Sequence, residues 1–196
     1  MKPEPTDDEN CDHFNSLIDH FLISMPSLEN SIFNHSVTYI CDHTQEGAMG
    51  IIINQPMPLT LGEVFEQFSL NVDPKVEHAH VLAGGPVNTQ QGLVLHRDQG
   101  QWDSTMHVTP EICVTASKDI IEAMAKNQAP ASAQLALGYA GWSEGQLEQE
   151  LQENCWLTMP AQSSILFDTP SDQRWSAAAK HLGVNLDLIS SQKGHA

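Results

Sequence analysis

The chain has 196 residues, enough to bury a sizeable core in one domain, and its 40% hydrophobic and 17% charged content is globular rather than disordered or fibrous. Its 25 acidic against 8 basic residues give a formal net charge of −17. With the basic residues scattered singly, that balance argues against direct contact with phosphate backbones.

Residues 1–13 hold five acidic residues and one lysine. They read as a disordered acidic leader ahead of a single domain over 14–196. The start has no basic segment followed by an apolar one, so it is not a secretory signal. No apolar run approaches the ~18 residues that span a bilayer. The expected location is therefore the cytoplasm, with no membrane partner. Cys11, Cys41, Cys113 and Cys155 lie far apart without a C-x-x-C and read as free thiols, Cys11 exposed and the other three in the core.

"HFLISMP" (20–26), "SVTYICDH" (36–43) and "AMGIIINQP" (48–56) predict three strands, with "TQEG" turning the second into the third. Ile51-Ile52-Ile53 suits a central strand, and Pro56 and Pro58 end it. Thr60 and Glu63 predict a capping box, opening a helix through Leu61, Val64, Phe65 and Phe68. Strands are expected at 80–87, 92–97, 106–109 and 111–117. Ser117 should cap a second helix carrying Ile120, Ile121 and Met124. A strand over 133–142 precedes a third helix over 143–155. "WLTMP" and "SSILFD" read as strands, and a last helix is capped by Thr169 with Pro170 at its first position. Trp175, Ala178, Ala179 and Leu182 form its stripe, and Gly183 ends it. The predicted order is βββ-α-ββββ-α-β-α-ββ-α, with early antiparallel pairing and room for later parallel crossovers.

Several motifs invite a chemical reading. Gly141-Trp142-Ser143-Glu144-Gly145 spells the nucleophile elbow, with Asp168 or Asp172 and His181 in permissive order. A helix cap explains more: Ser143 and Gln146 make S-x-x-Q, and Leu147, Leu151 and Cys155 follow at helical spacing. "LAGGPVNTQQG" (82–92) lacks the following helix and the basic residue of a phosphate loop, so it reads as a tight strand connection. His78-Ala79-His80 offers two imidazoles on one strand face. His96, His107, Asp98 or Cys41/His43 would have to join them, and no metal site or cofactor is assigned. Cys41-x-His43 is the other nucleophile-base candidate. Helix 143–155 carries Glu144, Glu148, Glu150 and Glu153 with no basic residue. It reads as a solvated anionic face, or as a docking face for a basic partner.

"HFLISMPSLENSIFNHSVTYICDHTQEGAMGIIINQP", "VLAGGPVNTQQGLVLH", "LALGYAGWSEGQLEQELQENCWLT" and the terminal "GHA" together resemble the bacterial YqgE/AlgH family, collinearly from about His20 to Ala196. The resemblance implies an α/β (α+β) fold. Its mixed, largely antiparallel sheet curls into a pseudo-barrel with about four flanking helices. It also implies a cytosolic protein of a family with a regulatory label and no assigned biochemical activity. The family pattern does not require serine at Ser143. Its N-[RK]-P stands here as Asn54-Gln55-Pro56 and its D-R-G as Gln90-Gln91-Gly92, which weakens any anion site built on those basic positions. The expected role is regulatory, or the binding of a protein or small-molecule partner, with no catalytic residue assigned. The alternative is a hydrolase using Ser143 or Cys41/His43. The candidate ligand-binding residues are His43, Asn54, Gly84, Gly85, Pro86 and Trp142. They sit at the rims where Gly-rich connections leave apolar strands, and a cleft shared by at least two of these rims is expected.

Overall fold

A computed structural model describes residues 14–25, 28 and 30–184. The acidic leader with Cys11, Pro26 and the terminal Gly194-His195-Ala196 lie outside them. The strands are β1 (His20–Ser24), β2 (Val37–Thr44), β3 (Gly47–Ile52), β4 (Pro56–Thr60), β5 (His80–Ala83), β6 (Val87–Arg97), β7 (Thr105–His107), β8 (Ile112–Thr115), β9 (Gln134–Ser143) and β10 (Trp156–Pro160). The helices are α1 (Leu61–Gln67), α2 (Lys118–Ala125), α3 (Gln146–Gln152) and α4 (Arg174–His181). The fold is mixed α/β, as the resemblance implies. One sheet runs β10-β1-β2-β3-β9-β6-β8-β7 and curls into a half-barrel, with β5 on β9 and β4 on β5. Only β5–β9 pairs in parallel among the described residues.

The strands alternate side chains between two apolar layers, which is why their sequences read as nearly continuous apolar runs. Phe21, Ile23, Val37, Tyr39, Ile51, Leu93, Leu95 and Ala136 point into the largest cluster, closed by Ala178 and Ala179 of α4. Val94 and Leu135 point the other way, toward α1 and α2. Leu22, Ile40 and Trp142 pack with Leu147 of α3. The α1 capping box is present in both directions.

Three expectations are corrected. Pro56–Thr60 is a strand despite its prolines, because β4 pairs only with β5 at two positions and the missing N–H donors fall at an edge. Residues 164–168, expected as a strand, form a π-helical turn with Ile165 and Leu166 buried. A three-residue apolar run has no periodicity that separates the two conformations. The last helix does not start at Pro170: a 3-10 turn occupies Ser171–Gln173 and α4 opens at Arg174. Gly183, at φ +69, follows its end. No helix among the described residues is long and apolar enough to cross a membrane.

Candidate functional site

Most of the polar residues singled out in the sequence have their hydrogen bonds satisfied within the protein. Ser143 is the last residue of β9, opposite Gly47, and α3 begins only at Gln146 behind a left-handed Gly145. The expected cap is therefore displaced. Gln146 Oε1 accepts from both the Ser143 N–H and its hydroxyl, while Ser143 Oγ accepts nothing from the helix. Ser143→Ala keeps the N–H bond and loses one exposed hydroxyl. Urea melts should move by less than about 0.5 kcal/mol, not the ~1 kcal/mol of a lost cap.

Cys41 and His43 do not meet as a hydrogen-bonded pair. The β2–β3 register slips at Cys41, so this residue is a bulge and the side-chain alternation inverts after it. Its thiol donates to the Tyr39 carbonyl inside the main core, where burial raises its pKa. His43 Nδ1 accepts from the Leu17 N–H, which puts the ring proton on Nε2, and Nε2 donates to Glu148. The acidic face of α3 is also more committed than its sequence suggests. Glu148 holds His43, Glu153 accepts from Gln149, and Glu150 accepts the indole N–H groups of both Trp142 and Trp156 at 2.8 Å. Trp142, expected at a binding rim, is 5% exposed in an aromatic cluster with Phe33 and Trp156, though it also borders a shallow cavity over the β2–β3 hairpin. Asn54 ties down the start of β2, accepting from Val37 N and donating to His35 O. Gly84 and Gly85, leading into Pro86, meet the Gly138–Ala140 backbone. A Cβ on Gly85 would lie 2.1 Å from the Tyr139 carbonyl carbon. Two of the three rims thus come together by closing on each other.

A larger cavity lies elsewhere. It has a volume of about 620 Å³ and is formed where three segments converge: Pro56 to Leu82 of the β4–β5 unit, Ala131–Leu135 entering β9, and Phe167–Arg174. None of the six sequence-nominated residues lines it. Its polar centre is Arg174, the first residue of α4, only 4% exposed. Arg174 Nε donates to the Thr169 carbonyl at 2.9 Å, and Nη1 donates to the Ile53 carbonyl and, at 2.8 Å, to Gln134 Oε1. Gln134 is oriented by its own donation to the Leu166 carbonyl. Every acceptor is neutral, and Nη2 has no protein acceptor among the described residues. Burial lowers the Arg174 pKa to about 10, with no carboxylate offsetting the shift, so the group remains charged at neutral pH. The first turn of α4 adds partial positive charge of its own.

Two carboxylates border the cavity. Asp168 is committed to Arg97, whose Nη2 donates to both of its oxygens at 3.1 Å. The same guanidinium bonds Ser163 and lies 4.7 Å over the Phe167 ring, clamping the π-helical turn from outside. Asp172 stands exposed at the rim. Leu61, Leu82, Leu135 and Phe167 supply apolar wall. A charged floor within such walls suits a small ligand bearing one anionic group. Sequence reading missed Arg174. The available signal was its place four residues before Ala178, a basic residue on the inward stripe of a chain with few basic residues.

Comparison with known proteins agrees with this fold. The family model described as AlgH-like matches residues 21–187. A UPF0301 protein of Saccharophagus degradans is 57% identical over 188 residues, covering 96% of this chain and 93% of its own. One from Thioalkalivibrio sulfidiphilus is 55% identical, covering 90% and 95%. The solution structure of the AlgH protein from Pseudomonas aeruginosa superposes with a TM-score of 0.76 at 42% identity, covering all of both chains. A crystal structure of a protein from Corynebacterium diphtheriae shares the fold, with a TM-score of 0.69 at 21% identity.

Proposed function

The chain belongs to the AlgH-like family, and from that footing we propose that it is a binding protein whose Arg174 cavity takes a small monoanionic or zwitterionic metabolite. Its role is then regulatory, through occupancy of that site rather than turnover. The observation that supports this reading is a guanidinium 4% exposed with three neutral acceptors and, among the described residues, no carboxylate partner. A ligand carboxylate at Nη2 makes a charge-assisted bond to a cation the fold leaves uncompensated. Asp172 at the rim disfavours a second negative charge, so polyphosphates are poor ligands. The net charge of −17 disfavours direct DNA contact in the same way, and a regulatory effect is transmitted through the ligand or a protein partner.

The test is a titration of the labelled chain with acetate, glycine, alanine, leucine and inorganic phosphate, followed by amide chemical shifts. Carboxylates should move residues 131–135 and 167–174 and leave the α3 face still. Asp172→Asn should tighten phosphate binding by about fivefold, the effect of removing one nearby like charge. Shifts confined to other surfaces, or none with any of the five compounds, would overturn the reading.

A further inference from the structure

At the β7 edge of the sheet, three strands bring a second group of chemically capable side chains together. In the order β6-β8-β7, Cys113 of β8 lies directly opposite His107 of β7. Asp98 immediately follows β6 and is held by its N–H to the Glu111 carbonyl at 2.8 Å. The Cys113 Sγ is 3.2 Å from His107 Nδ1 and 3.7 Å from Asp98 Oδ1, and the three potential ligand atoms lie within 4.8 Å of one another. The turn between β7 and β8 is fixed by Thr109, whose hydroxyl accepts from the Glu111 and Ile112 N–H groups.

We propose that Asp98, His107 and Cys113 form a three-ligand site for a borderline-soft divalent cation of the zinc type. Bond lengths of about 2.3 Å to sulfur and 2.0–2.1 Å to nitrogen or oxygen place tetrahedral ligand atoms about 3.6 Å apart. The observed separations of 3.2 and 3.7 Å bracket that spacing. A small rotation of the exposed Asp98 or His107 side chain brings in the third edge. One thiolate, one carboxylate and one neutral imidazole balance a divalent charge, and water completes the tetrahedron. The donor set selects against magnesium and calcium, which require oxygen. The sulfur is buried while the other two ligands are exposed, so the ion has a path from solvent.

One neighbouring fact favours a metal over a catalytic thiol: Asp98 contacts the sulfur itself, not the histidine it would have to orient in a triad. Metal binding releases the thiol proton. His96, the partner of Cys113 on the β6 side, stays outside the site. Its ring nitrogens are taken by the Arg97 carbonyl and Thr115 Oγ1, and burial lowers its pKa.

The test is cobalt(II) titration of the full reduced chain, read by the thiolate-to-metal charge-transfer band and by the visible bands of a tetrahedral ion, with zinc as competitor. A single equivalent should produce both bands and zinc should bleach them. Cys113→Ser and His107→Ala should each abolish the charge-transfer band, and Cys155→Ser should keep it. Since Cys113 is buried, far-ultraviolet dichroism checks that its variant folds. His107 is exposed, so its variant is the safer arm. Zinc should raise the melting temperature of the parent and not of His107→Ala. Absence of the charge-transfer band, its survival in His107→Ala, or its loss only in Cys155→Ser would overturn the proposal.

Discussion

Gly85→Ala should prevent the sheet from closing, leaving a chain that is insoluble or unfolded at room temperature. An added Cβ would sit 2.1 Å from the Tyr139 carbonyl carbon and 2.3 Å from both its oxygen and the Ala140 nitrogen. All three are backbone atoms of the central strand β9, so no side-chain rotation relieves the clash. The φ of +152° adds its own penalty for an L side chain. On the other side of the crossing, Gly138 brings a would-be Cβ within 2.5 Å of the Gly85 carbonyl oxygen. The β5–β6 connection therefore packs on β9 at a separation that only glycines allow. The expected loss exceeds about 4 kcal/mol, the range reserved for backbone strain and overpacking at the core. Gly145→Ala is the matched control. It has φ +71° but nothing within 4 Å of the added methyl, so it should cost only about 1 kcal/mol. Circular dichroism and urea melts separate the two outcomes. A Gly85→Ala chain that melts like Gly145→Ala would show that β9 can shift.

Arg174→Met should lower stability by about 3 kcal/mol in urea, the balance of two opposing effects. The substitution removes the donor to the Ile53 and Thr169 carbonyls and to Gln134 Oε1, leaving acceptors buried beside a packed helix. Unpaired buried polar groups cost about 1–3 kcal/mol each. Against this, methionine relieves the desolvation that lowers the Arg174 pKa to about 10. For a chain of this length the net change corresponds to a melting temperature lower by roughly 6–12 °C. Arg174→Lys keeps the charge but cannot fork to three acceptors, so it should fall between the two. A methionine variant as stable as the parent would mean that burying the charge outweighs its hydrogen bonds. In that case the residue is held for its ligand rather than for the fold.

Much of the architecture was legible because apolar patterning states its own period. Ile51-Ile52-Ile53 could only be buried on both sides, and it lies between the two layers of the sheet. Thr60 and Glu63 spelled a cap that the structure forms atom for atom. Gly84-Gly85-Pro86 read as a tight connection but also fell inside a strand expected over 80–87; the strand stops at Ala83, and β6 starts at Val87 rather than at 92. Where local chemistry admitted two answers, the pattern was silent. Ser143 and Gln146 have capping spacing, but β9 runs on to pair Ser143 with Gly47, and the helix starts later. Cys41 and His43 have the spacing of one strand face, but the bulge at Cys41 inverts it.

The amino-acid sequence by itself determined the class of fold, the strands and helices that build the core, and the anionic surface. These follow from composition and from periods of two and 3.6, which are properties of neighbouring residues. Only the tertiary structure decided where the chemistry gathers. Arg174 meets Ile53 across 121 positions of chain, and Asp98, His107 and Cys113 become neighbours because β7 and β8 fold back beside β6. Such meetings depend on strand order and register, and no short-range spacing encodes either. A lone arginine and a cysteine in an apolar run look ordinary until the curl of the sheet gives one a cavity and the other two ligands.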